Sequence, residues 1–175
     1  MAARRRQIVG AVLLIATTAV LFGGAALWAR HGRARAACPV AIGERLPEMR
    51  FVSASGEATS TRTLAGRSSM LVFGTPDCPA CNIDVPAWQA VARVSGGTLA
   101  VWSITVGTAA KKMRPSSGLA HHALVDSQDA FATVLKASQV PLVILVDADG
   151  VVRGCFTGIT AAAVKERAVR SLVSR

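Results

Sequence analysis

The stretch of this chain best equipped for chemistry is Cys78-Pro79-Ala80-Cys81. Two thiols in C-x-x-C spacing can close a disulfide within one helical turn, and a dithiol that opens and closes can trade electrons with another dithiol. An apolar run, residues 70–73, precedes the motif, and a helix-like segment follows it. With Cys78 as the cap, Pro79 falls in the first turn, where its missing N–H would have had no intrahelical partner. Cys78 then lies at the positive end of the helix dipole, beside free backbone N–H groups that favour the thiolate, the attacking species. Cys81, one turn deeper, reads as the resolving thiol. Asp77 works against the dipole, because a neighbouring negative charge raises a thiol pKa.

Half a zinc site has the same spacing, but a structural zinc needs four ligands. The other cysteines, Cys38 and Cys155, stand alone, and the adjacent His121 and His122 lack H-x3-5-H spacing, so no metal is expected. A purely structural Cys78–Cys81 bridge is the plainer alternative, yet tight C-x-x-C loops between strand and helix are usually redox-active. Cys155 reads as a small buried hydrophobe, with pairing to Cys38 as the alternative for an exported chain with leftover cysteines. At least one of the two histidines should face solvent, and neither is expected to do chemistry.

At 175 residues the chain holds one domain and an appendage. Residues 8–28 carry no charge and as a helix would be about 31 Å long, enough to cross the hydrocarbon core of a bilayer. Arg4, Arg5 and Arg6 precede them. We therefore expect residues 1–29 to be a membrane anchor, a signal peptide cleaved near Ala34-Arg35-Ala36 being the alternative. A basic linker, residues 30–42, should lead to a domain over residues 43–175. Arginines on both sides of the span balance one another, so the positive-inside rule assigns no orientation. The dithiol favours placing the domain on the oxidising side of the membrane. The net charge is +10, but six of the twenty basic residues lie before Cys38, where no acidic residue occurs. The remainder is spread without a basic run beyond Lys111-Lys112, which argues against nucleic-acid binding.

The elements that must hold the motif can be read in order. Residues 49–53 and 57–61 flank Ser55-Gly56 as a hairpin. Residues 70–73, 99–106 and 142–146 are continuous apolar runs, expected of strands covered on both faces. Val85, Trp88, Val91 and Ala92 recur at helical spacing after the motif, so Trp88 belongs to the core, and Pro86 should kink that helix. Residues 107–118 read as a surface loop or short helix, and 121–125 as a further strand. A helix is expected over residues 126–138, capped by Asp126 or Ser127 and burying Phe131, Val134 and Leu135. Val140-Pro141 precedes a strand, and Asp147-Ala148-Asp149-Gly150 turns it into an antiparallel partner over residues 151–157. A last amphipathic helix, residues 160–173, should bury Val164, Ala168 and Leu172 and turn Lys165, Arg167 and Arg170 to water.

In this order, Phe73 with Cys78-Pro79-Ala80-Cys81, Pro86, Val140-Pro141 and Val146-Asp147-Ala148-Asp149-Gly150-Val151 resemble the thioredoxin-fold redoxins, more closely the membrane-anchored TlpA/ResA type and the similarly built MauD proteins. The resemblance implies an α/β, thioredoxin-like three-layer fold: a central mixed sheet, an N-terminal hairpin and an inserted strand and helix, preceded by one transmembrane helix. It implies that Pro141 is a cis proline against the disulfide, binding substrate backbone, with Val140, Pro79, Ala80 and Asp77 in support. It implies thiol-disulfide exchange with protein thiols and disulfides in the periplasm of a bacterium, fed by a membrane electron donor, without metal or organic cofactor.

Two departures stand out. Thioredoxins carry Trp before the first cysteine, where this chain has Asp77, and an Asp in the preceding strand, where it has Val72. No proton acceptor for Cys81 can be named from the sequence. Two competing readings are a non-enzymatic binding or assembly module on the same fold, and a peroxiredoxin using Thr75-Pro76-Asp77-Cys78. The latter leaves the second thiol unexplained.

Overall fold

A computed structural model describes residues 38–53, 55–107 and 122–174. The expected span over residues 8–28, and the loop over 108–118, lie outside the described residues. Among those described, no helix is long and apolar enough to cross a membrane.

Seven strands form one mixed sheet: β1 (Arg50–Ser53), β2 (Ala58–Ser60), β3 (Ser69–Gly74), β4 (Ala100–Thr105), β5 (His122–Val125), β6 (Leu142–Val146) and β7 (Val152–Thr157). Their order is β2-β1-β5-β4-β3-β6-β7. β3, β4 and β5 run parallel, whereas β1, β6 and β7 join antiparallel to their neighbours. The hairpin expected around Ser55-Gly56 is present as β1 and β2.

Side chains of a strand alternate between faces, and β3 shows what each face holds. Leu71 and Phe73 pack with Phe51, Ile104, Phe131 and Leu142 on one side. Met70 and Val72 pack on the other with Trp88 and Ala92 of α1 (Pro79–Arg93) and Val169 and Leu172 of α3 (Ala162–Val173). Both faces are dry, which is why β3, β4 and β6 read as unbroken apolar runs. α1 continues through Pro86, and Trp88 is fully buried.

The segment after β5 departs from expectation. The helix expected over residues 126–138 is a single short turn, α2 (Ala130–Thr133), because Asp129 and Lys136 adopt left-handed backbone, with φ of 56° and 53°. A helix cannot propagate through such residues. Asp126 still serves the helix start, its two carboxylate oxygens accepting the N–H of Ala130 and of Phe131 at 2.8 and 2.7 Å. Phe131 and Leu135 are buried as expected, but Val134 faces solvent.

α3 is rotated from its expected setting. Its buried stripe is Lys165, Val169 and Leu172, with Val164 exposed. Lys165, expected in water, is only 2% exposed.

The domain starts earlier than residue 43. Val40 is buried in the core, and Cys38 is disulfide-bonded to Cys155 on β7, so Cys155 is half of a cross-link rather than a free buried thiol. Gly43 N–H donates to Val152, Val152 N–H to Glu44, and Leu46 N–H to Gly150, laying this segment along the outer edge of β7. In the β6–β7 turn, Asp147 accepts N–H bonds from Asp149 and Val151 and pairs with Arg153 at 2.6 Å.

Candidate redox site

The two cysteines of the motif sit where β3 hands over to α1. Cys78 is the N-cap in extended backbone, Pro79 occupies the first turn, and the Cys81 N–H donates to Cys78 Sγ at 3.0 Å. The pair is closed as a disulfide, with Cα atoms 5.2 Å apart. As residues, Cys78 at the cap is 9% exposed and Cys81, deeper in the helix, 5%, so Cys78 is the more accessible of the two. Behind Cys81 the sheet ends in Gly74; a Cβ there would stand 3.5 Å from Cys81 Sγ, in ordinary van der Waals contact with the sulfur.

The opposite wall comes from the start of β6. The Val140–Pro141 peptide bond is cis, and the Val140 carbonyl oxygen lies 3.9 Å from Cys78 Sγ. Pro141 directs its own carbonyl to the Gly158 N–H at 2.8 Å, which ties this wall to the loop leaving β7. The structure thus brings Cys78, Cys81, Val140 and Pro141 together from chain positions about sixty residues apart. Asp77 and Pro79 are exposed at the mouth, and Ala80 is half-buried.

The strand position that holds a carboxylate in thioredoxins is Val72 here, packed in the core. A different buried carboxylate lies nearby: Asp84, one helical turn after Cys81 and 1% exposed. Residues three apart on a helix share a face, with Cβ atoms about 5–6 Å apart. Asp84 accepts from Trp88 Nε1 at 2.9 Å, from the Thr160 N–H at 2.9 Å and from Lys165 Nζ at 2.6 Å. Lys165 also reaches the Asp84 carbonyl at 3.3 Å and stands 5.5 Å from the Trp88 ring centroid, while Trp88 rests on Phe156 of β7. Sequence reasoning missed this cluster. The available signal was the spacing Cys81, Asp84, Trp88, which puts all three on the buried face of one helix.

An arrangement of this kind can do exchange chemistry. The dipole and free N–H groups of α1 favour a thiolate at its cap, and the carbonyl beside Cys78 offers an acceptor for an incoming backbone. No group of three or more metal-ligating side chains occurs among the described residues.

No protein-family model matches the sequence, and no curated protein matches it. Solved structures do match in shape. The thioredoxin domain of a thiol-disulfide oxidoreductase from Bacteroides vulgatus superposes with a TM-score of 0.60 at 15% identity, over 77% of this chain and 99% of that one. A thioredoxin-family thiol:disulfide interchange protein from Chlorobium tepidum gives 0.56 at 19%, over 77% and 99%. A secreted Mycobacterium tuberculosis disulfide oxidoreductase homologous to E. coli DsbE gives 0.56 at 21%, over 71% and 96%.

Proposed function

From the thioredoxin-like fold that these likenesses establish, we propose that the chain is a thiol-disulfide oxidoreductase working through Cys78 and Cys81. The observation that carries this reading is the closed disulfide at the start of α1 with the Val140 carbonyl 3.9 Å from Cys78 Sγ. The likenesses to solved oxidoreductases support it through the fold.

In the reducing direction the Cys78 thiolate attacks one sulfur of a client disulfide. The client S–S bond breaks, its second sulfur leaves as a thiolate and takes a proton, and a mixed disulfide joins client and Cys78. Cys81, having given up its proton, attacks Cys78 Sγ, releasing the first client sulfur. Two electrons pass to the client, and the Cys78–Cys81 disulfide closes. The oxidising direction runs the same steps backward. Pro141 and Val140 would hold the client backbone across the site.

The proposal places the domain in the bacterial periplasm, held at the inner membrane by residues 8–28 as in TlpA/ResA-type or MauD-like redoxins. The length of the uncharged run supports the membrane attachment, and the dithiol favours the oxidising side. The test is a Cys81→Ser variant expressed in the full chain. It should accumulate mixed disulfides on Cys78 that dissolve in dithiothreitol; a chain that captures no client under oxidising conditions overturns the reading.

A further inference from the structure

At the end of α1 away from the cysteines, α1 and α3 leave an open groove of about 580 Å³ between them. Val91 and Val94 line one side; Glu166, Val169, Arg170 and Val173 line the other, at the i, i+3, i+4 and i+7 positions of a single stripe of α3. Val169 is buried, and Val91 and Val173 are half-buried. Val94, the C-cap of α1, is 86% exposed, more than any other large aliphatic side chain among the described residues. Contiguous apolar surface edged by charges marks a place where another molecule sits.

The two charges indicate which molecule. Glu166 and Arg170 are exposed, stand one turn apart on α3, and form no ion pair among the described residues. An anionic bilayer or an acidic segment would set its charge against the Glu166 carboxylate, and a basic segment would set its own against the Arg170 guanidinium. A helix carrying both charges in the opposite direction satisfies the two together. A second copy of this chain, turned about a two-fold axis across α3, presents such a helix.

We infer that this groove is the contact between two copies of the chain: Glu166 of each faces Arg170 of the other, and the valines close between them. A two-fold contact is made by one self-complementary patch. This patch holds both a projecting side chain, Val94, and an apolar cleft that can receive one. Cys78 and Val94 cap opposite ends of the 15-residue α1, so about 22 Å of helix separates the contact from the redox pair. Both redox pairs therefore stay clear of the contact, and the inference is independent of the exchange role proposed above.

The test uses the full chain in mild detergent, each variant carrying one of two affinity tags and checked for folding by thermal unfolding. Differently tagged wild-type copies should co-purify at micromolar concentration and sediment as a dimer. Glu166→Arg and Arg170→Glu each set like charges against one another at both pairs. Either alone should weaken self-association about tenfold to a hundredfold. Mixing the two variants restores both opposite-charge pairs, so Glu166→Arg copies should co-purify with Arg170→Glu copies as wild-type copies do with one another. Wild-type copies that stay apart leave the groove to another occupant and overturn the inference. Self-association that survives the single reversals, or a mixture that fails to recover it, does the same. None of these readouts involves client capture, so the exchange reading stands or falls separately in the Cys81→Ser experiment.

Discussion

The Val140 carbonyl oxygen faces Cys78 Sγ across 3.9 Å, whereas Cys81 Sγ lies inward against Gly74. Under the proposed exchange role, this asymmetry gives the two sulfurs different fates. Cys81→Ser should retain client proteins as mixed disulfides, and Cys78→Ser should retain almost none. Non-reducing gels of the two variants, run after acid quenching and thiol blocking, check the difference.

The bridge between Cys38 and Cys155 spans 117 residues of chain. Cross-links that close long loops restrict the unfolded state most, and removing one from a small domain costs about 2–5 kcal/mol. Cys38→Ser/Cys155→Ser should therefore unfold at markedly lower urea concentration, while its Cys78–Cys81 pair still cycles. Urea titration followed by tryptophan fluorescence, alongside thiol counting, measures both.

Asp147 sets an acid limit on stability. Burial pushes its carboxyl up, but the Val151 N–H, the Arg153 guanidinium and the Asp149 N–H outweigh burial and hold it below the usual carboxylate value. A depressed folded-state pKa means that the stabilisation is complete above the unfolded-state value of about 3.9 and is lost as pH falls through the folded one. Asp147→Asn should be less stable than wild type at neutral pH and should converge on it in acid. Thermal melts at matched ionic strength across that range give the comparison.

Gly154 lies under an aromatic ring: a Cβ there would stand 3.0 Å from Phe156 Cε2 and 3.3 Å from Leu145 Cδ1. Phe156 supports Trp88, so the ring has little room to retreat. Gly154→Ala should destabilise by about 1–3 kcal/mol, the range for overpacked cores. Chemical denaturation with an unchanged slope would separate this effect from a change in the unfolded ensemble.

The sheet was readable from sequence wherever burial on both faces removed polar alternation, as in β3, β4 and β6, and the turn at 147–150 was readable from its Asp and Gly. The C-x-x-C motif announced itself by spacing, and Val140-Pro141 by a proline where a central strand begins. What escaped was tertiary in origin. Lys165 belongs inside because Asp84, 81 residues earlier, supplies its counter-charge, and a charged residue on an amphipathic helix otherwise defaults to water. The helix after Asp126 looked long because propensity does not reveal that Asp129 and Lys136 take left-handed backbone. The partner of Cys38 was likewise fixed only when residues 43–46 settled along β7.

That settled strip also decides how the domain would bear a mechanical load. Tension arriving through the chain ahead of Cys38 enters the sheet at Cys155 by a covalent path and bypasses the hydrogen bonds of Gly43, Glu44 and Leu46. Without the bridge those bonds would peel open one after another from the end, so the bridge keeps the border of the sheet from unravelling under load.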